Sequence, residues 1–362
     1  MPTLTRRQLT DYLTRQFGTG LSLVSYGRIG QESSESDLKG FGYGKPIRVI
    51  CRVKGRLRKW VLETMSPGPF GHEHPADRAQ AMLWDFDSYG RLPRHVKAVD
   101  VGAFAEDGSL FSVAPAREFF VLTEWSNGTS YHVDFERLMN TGRLLTLDRR
   151  RAEALAQYVA DIHRRRGHDP ALYRRRIREL IGHGECIMGL TDSYPDQFAF
   201  IDQALLRDIE EACNRWRWKL RGWGDRLCQV HGDFHPWNVL FQTGTRFRVL
   251  DRSRGEWGEA ADDVTAMTIN YLFFSLRRWG RLQGPFEILF RRFWEVYLER
   301  SGDDRVLQTT APFFAFRGLV LASPLWYPNL TVDVRRTIFR FVQSVLSDTW
   351  FDPANVNRYC RG

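Results

Sequence analysis

The segment Gln229–Phe241, QVHGDFHPWNVLF, constrains this chain more than any other stretch. It sets His231, Asp233 and Asn238 in a short loop between two apolar runs. Phe247–Leu250 then reads as a strand that delivers Asp251 to the same neighbourhood. Polar residues at the rim of a small hairpin converge in space, and loops on a rigid scaffold are where reactive groups usually sit. The fold must therefore present one loop and one hairpin against a larger core.

An imidazole, a carboxylate, an amide and a second carboxylate in this order have a chemical use. Phosphoryl transfer asks little covalent chemistry of a protein, so positioning and charge neutralisation dominate. One carboxylate orients an attacking hydroxyl and accepts its proton. A second carboxylate and an amide oxygen hold magnesium, a hard cation that takes oxygen ligands.

HGDFHPWN resembles the catalytic-loop motif HGDxHxxN of the aminoglycoside phosphotransferase family, which includes choline-kinase-like and other small-molecule kinases. Asp251 follows Asp233 by 18 residues, as the metal-binding aspartate does in that family and in protein kinases. Gly258–Val264, GEAADDV, resembles the family's GDPAxDLA segment and gives Asp263 the place of the aspartate that braces the loop from a helix start. The resemblance covers most of the chain and is strongest over 229–264.

That resemblance implies an α+β, two-lobed protein-kinase-like fold. A small antiparallel β lobe that binds nucleotide is expected over 1–124, and a larger, mainly helical lobe carrying the catalytic loop and substrate site over 125–362. The nucleotide would lie in the cleft between them. The implied activity is an ATP- and magnesium-dependent transfer of a terminal phosphoryl group to a hydroxyl of a small molecule. Carried over residue by residue, Asp233 is the catalytic base, and Asn238 and Asp251 are the magnesium ligands. His231 braces the loop. His235 takes the place where protein kinases put a lysine on the transferred phosphate, with packing as its alternative role. Phe119–Trp125, FFVLTEW, resembles the hinge strand, so backbone groups of Glu124 and Trp125 would bind adenine; a plain core strand is the other reading.

Three features depart from the family pattern. The third strand, read as Lys59–Met65, carries Glu63 where a phosphate-binding lysine is expected. Lys54 or Arg52 on the neighbouring strand would supply the missing cation, or Glu63 would pair with Arg78 in reversed polarity. Asp251 is followed by Arg252, Ser253 and Arg254, which face either phosphates or solvent. After Gly27 and Gly30 comes a run rich in serine and acid, without GxGxxG.

The rest of the chain reads as follows. Residues 5–17 have helical spacing and stop at Gly18, then Leu21–Tyr26 and Ile47–Val53 read as strands. Pro75 opens a helix over 76–89, and Val96–Phe104 and Phe119–Glu124 read as further strands. Asp148 is expected to cap a helix bearing Leu155, Tyr158, Val159 and Ile162. Helices follow near 197–218, 262–279, 285–299 and 331–349, with 167–197 irregular in part. The stretch 125–129 reads as a short hinge.

Composition limits the partners. Net charge is +9, carried by arginine, which favours anionic ligands and disfavours strongly cationic ones such as aminoglycosides. The arginine triplets at 149–151, 164–166 and 174–176 read as solvated helix faces, with a nucleic-acid face as the rival. Trp216, Trp218 and Trp223 read as core, with a substrate pocket as the alternative. Five widely spaced cysteines without a CxxC pair read as reduced thiols of a cytoplasmic protein, and His183 with Cys186 does not suffice for a metal site. No apolar stretch is long enough to span a membrane. Two other functions compete: a pseudokinase that senses nucleotide or binds protein, favoured by Glu63, and an arginine-rich nucleic-acid-binding protein.

Overall fold

A computed structural model describes residues 4–29, 44, 46–68, 70–91, 93–252 and 254–361. The chain forms two compact units, Met1–Thr123 and Glu124–Gly362. Gly30, the acid-rich run after it and Ser253 lie outside the described residues.

The first unit is built on an antiparallel sheet of order β1-β2-β3, with β1 Leu21–Arg28, β2 Ile47–Val53 and β3 Arg56–Leu62. Helix α1, Arg6–Phe17, starts in a capping box: Gln8 N–H donates to the Thr5 hydroxyl, and the Gln8 side chain accepts from Thr5 N–H at 3.0 Å. Its Leu9 and Leu13 join Leu21, Leu23, Val49 and Cys51 in a small core. β2 and β3 meet through a two-residue turn, Lys54–Gly55, both at positive φ (48° and 76°). That geometry suits the twist of a hairpin. Helix α2, Pro75–Tyr89, and a second hairpin of β4, Gly102–Phe104, and β5, Leu110–Ser112, follow.

The second unit is mainly helical. Its helices are α3 His132–Thr141, α4 Thr146–His163, α5 Pro170–Gly182, α6 Ile187–Asp192, α7 Gln203–Leu220, α8 Ala260–Trp279, α9 Gly284–Ser301, α10 Thr310–Ala322 and α11 Val332–Ser347. α8 is buried nearly all round, as befits a central helix, and α9 and α10 pack against it. Among short strands β6 Thr129–Ser130, β7 Gln197–Phe198, β8 Ile201–Asp202, β9 Cys228–Gln229, β10 Val239–Phe241, β11 Phe247–Val249 and β12 Trp257–Gly258, the order β11-β10-β6 forms one sheet and β12-β9 another. The α+β class with small antiparallel sheets and a helical second part is as the sequence implied.

Several expectations need correction. Phe119–Glu124 is not a strand: among the described residues no neighbouring backbone pairs with it, and Phe120, Val121 and Leu122 are 85–92% exposed. Of Val96–Phe104 only Gly102–Phe104 is strand, because only these residues face β5. β3 ends at Leu62, so Glu63 lies just beyond it. Lys54 occupies the hairpin tip and not a strand. Arg78 does not turn to Glu63; its Nη1 donates to the carbonyls of His72 and Glu73 at 2.8 and 2.9 Å. Asp148 sits one turn inside α4, where it accepts from Leu145 N–H at 2.8 Å and from Arg137. The stretch 167–197 is irregular in part, as expected, at 183–186 and 193–196, on either side of α6.

Trp216 is core, its Nε1–H donating to Leu346 O at 2.9 Å, whereas Trp218 is exposed beside Arg217 and Arg221. Each arginine triplet has exposed members and one or more tied down: Arg151 to Asp134, Arg164 to Arg300 O, and Arg175 and Arg176 to Glu179.

A buried cluster of ionic and polar side chains joins four segments of this unit. Arg226 is clasped by Glu259 (2.6–3.0 Å) and by Asp303 (2.9 Å), and the Tyr173 hydroxyl donates to Glu259 at 2.8 Å. Removing one partner of such a pair strands a charge in the core. Arg226→Met is expected to destabilise the protein by about 3–5 kcal/mol, read by urea denaturation. Adding Glu259→Gln should recover part of that loss.

Candidate active site

The loop His231–Asp233 leaves β9 and is fixed by the start of α8. Asp263, in the first turn of that helix, accepts Gly232 N–H on Oδ1 and His231 N–H on Oδ2, both at 2.8 Å. His163 Nε2 lies 3.1 Å from the same Oδ2, and its Nδ1 lies 3.0 Å from the Tyr297 hydroxyl. Burial alone would raise the Asp263 carboxyl, but the His163 hydrogen bond and nearby His231 outweigh it, so the net direction is below the ordinary value. Gly232 is required at its place: φ is +88°, and a Cβ there would meet Arg254 Cβ at 3.2 Å.

The next residue, Asp233, is half-buried and ringed by donors. Arg317 Nη1 donates to Oδ1 at 2.5 Å, and Asn238 Nδ2 donates to Oδ2 at 3.2 Å and to the Asp233 carbonyl at 3.0 Å. His235 Nε2 is 3.3 Å from Oδ2, while its Nδ1 accepts Trp237 N–H at 3.2 Å, which leaves Nε2 as the N–H. Burial pushes the Asp233 carboxyl up, yet the His235 hydrogen bond and the Arg317 charge hold it well below the usual carboxylate range. It is an anion throughout the neutral range.

Asn238 ends a short 3₁₀ turn, Pro236–Asn238, and opens the β10–β11 hairpin. With its amide nitrogen committed to Asp233, its amide oxygen turns the other way. Leu250 N–H donates to Asn238 O at 2.8 Å, so Asp251 emerges one residue from a direct backbone contact with Asn238. Asp251 has φ +55°, a left-handed conformation uncommon outside glycine and a mark of a constrained position. It lines a cavity of about 280 Å³ with His231, Leu250 and Arg252. Two oxygen donors, one amide and one carboxylate, suit magnesium, which keeps its remaining positions for water and phosphate.

The structure thus brings together His231, Asp233, His235 and Asn238, and ties Asp251 to them through the hairpin. The two arginines after Asp251 have local partners: Arg252 donates to Val230 O at 2.8 Å, and Arg254 donates to Cys186 Sγ at 3.3 Å and lies over Phe316. Lys54 belongs to the other unit and is exposed in its turn. Glu124 and Trp125 are exposed, and their backbone groups make no hydrogen bond among the described residues. Three participants were not foreseen: His163, Asp262 and Arg317. Arg317 did carry a signal, since it is a lone charge in an otherwise apolar helix, TAPFFAFRGLVLA, and such a charge needs a partner.

A family model described as APH, phosphotransferase enzyme family, matches residues 50–293. The chain belongs to this phosphotransferase family. The matched stretch of the phosphotransferase runs from β2 into α9 and includes the loop, the hairpin, Asp251 and Asp263. No curated protein sequence matches this phosphotransferase significantly. Solved structures similar to it include a choline kinase from Cryptosporidium parvum Iowa II (12% identity, 94% of this chain and 86% of that one, TM-score 0.33). Another is an amicoumacin kinase in complex with AMP-PNP and Ca2+ (13% identity, 94% and 91%, TM-score 0.41). A third is a type I macrolide 2'-phosphotransferase (15% identity, 93% and 97%, TM-score 0.33).

The Asp263 brace has a pH signature. Its folded carboxyl titrates below the ordinary value of 3.8, so the brace contributes fully above that pH and is lost as pH falls below it. Asp263→Asn is expected to cost about 1.5–3 kcal/mol at neutral pH. It should also flatten the stability loss below pH ~4 in a series of denaturation curves.

Proposed function

We propose that this phosphotransferase moves the terminal phosphoryl group of ATP, with magnesium, to a hydroxyl of a small molecule. The observation that carries the reading is the joined set of Asp233 and Asn238, hydrogen-bonded to each other and linked through Leu250 to Asp251. In this reading Asp233 receives the acceptor hydroxyl on its carboxylate and takes its proton as the new O–P bond forms and the bond from the γ-phosphorus to the β,γ-bridging oxygen breaks, releasing ADP. His235 adds a longer contact to that carboxylate through Nε2–H. His231 braces the turn by accepting Asp233 N–H on Nδ1 at 3.2 Å. The amide oxygen of Asn238 and the carboxylate of Asp251 would hold magnesium, which when bound neutralises charge on the transferred phosphoryl oxygens.

Nucleotide contacts extend the reading to other segments. The unpaired backbone groups at Glu124 and Trp125 would take adenine, and Lys54 is the proposed phosphate contact in the first unit. Its setting at a turn tip supports a mobile reach more than a fixed one, and Glu63 remains the residue that favours the pseudokinase alternative. Against that alternative stands the retained donor set. Buried, free cysteines support a reducing, cytoplasmic setting. Among the described residues no helix is long and apolar enough to cross a membrane. The tied-down members of the arginine triplets give no support to a nucleic-acid face.

Calorimetry of ATP binding, with and without magnesium, tests the reading. Wild type is expected to bind more tightly with magnesium, and Asp251→Asn to lose that difference. Asp233→Asn should bind ATP and lower kcat by about 10²–10⁴-fold in an acceptor screen. A wild type that binds no nucleotide would overturn the reading and return the chain to the pseudokinase or interaction class.

A further inference from the structure

Arg317 lies in α10 among Phe313, Phe314, Phe316 and Leu319, and its side chain is only 8% exposed. A guanidinium does not give up its charge in a protein, so its burial demands acceptors. It finds them at one place. Nη1 donates to Asp233 Oδ1 at 2.5 Å, and Nη2 donates to Gly232 O at 3.1 Å and to Asp262 Oδ1 at 2.7 Å. The guanidinium also lies 4.6 Å from the centre of the Phe316 ring, which fixes its plane. Asp262 secures the far side of the fork, so the arginine is held between a structural carboxylate and the carboxylate of the loop.

We propose that Arg317 is a positioning residue for phosphoryl transfer: it locks the rotation of the Asp233 side chain and so fixes the direction in which the carboxylate meets the acceptor hydroxyl. The inference rests on the phosphotransfer reading given above. The contacts on Oδ2, from Asn238 at 3.2 Å and His235 at 3.3 Å, are long. The Arg317 contact on Oδ1 is the short, charge-assisted one, and it governs the rotamer. A planar fork can reach Asp233, Gly232 O and Asp262 together, whereas a lysine ammonium presents one point of charge. Without the fork the carboxylate regains its freedom about χ1 and χ2. A displacement of about 1 Å at a reacting group costs on the order of 10²-fold in rate.

The test uses magnesium-ATP as the probe and reads ADP release, with water or a hydroxyl compound as acceptor. Arg317→Met is expected to lower kcat by about 10²-fold while KM for magnesium-ATP stays within about twofold. Arg317→Lys should recover part of kcat, because it keeps the charge and loses the fork. If the single variant does not fold, Arg317→Met with Asp262→Asn removes both halves of the Arg317–Asp262 pair and is read in the same way. A folded variant with wild-type kcat overturns the proposal. So does one in which kcat falls and KM rises together, since that marks a general collapse of the site. A wild type that neither binds nor turns over magnesium-ATP removes the phosphotransfer reading and this inference with it. An active wild type with an indifferent Arg317 removes this inference alone.

Discussion

The carboxylate of Asp263 is the point on which this unit depends. Left alone, an ionised side chain buried at the middle of a helical unit would be expensive. Here it is met by two backbone N–H groups and an imidazole, and it sits in the first turn of α8, where the helix dipole favours negative charge. What the loop gains is position. His231 and Gly232 have their donors fixed by a helix that is itself buried on nearly every side, so the rigidity of the core passes directly to the chain that carries Asp233.

The first turn of α8 organises more than the loop. Glu259, Asp262 and Asp263 fall within five consecutive residues and point to three destinations. Glu259 meets Arg226 and the Tyr173 hydroxyl, Asp262 meets Arg317, and Asp263 meets the loop and His163. Three carboxylates so close together would repel one another. Each is matched by its own partners, and the helix N-terminus favours all three. The scaffold's ionic cluster and the clamp on Asp233 are therefore consecutive features of one turn.

The legible parts of the sequence were those in which the signal is local. HGDFHPWN, Asp251 and Asp263 lie in one short stretch, where the resemblance to the family's motifs gathered them. α1, α4 and α11 followed from apolar residues at helical intervals, and β2 from a compact β-rich run. Pairing is not local, and there the reading failed. Phe119–Glu124 has the composition of a strand but, among the described residues, no neighbour to make it one. Lys54 differs from a strand residue by one position, which periodicity does not resolve, and the positive φ at the hairpin tip decided the matter. α10 is apolar almost throughout, so no face could be read from it. The partners of the site were hidden by distance: Arg317 lies 84 residues from Asp233, and His163 lies 100 from Asp263.

The shared origin of these contacts at the start of α8 has a consequence for how the protein comes apart. A helix end usually frays first, opening at little free energy while the rest stays folded. Here fraying by a single turn would release Glu259 from the ionic cluster, Asp262 from Arg317 and Asp263 from the loop at once. Local melting of the site and global unfolding of the helical unit thus become nearly the same event. The amide protons of His231 and Gly232 then exchange with solvent on the timescale of the whole unit, not on that of a surface loop.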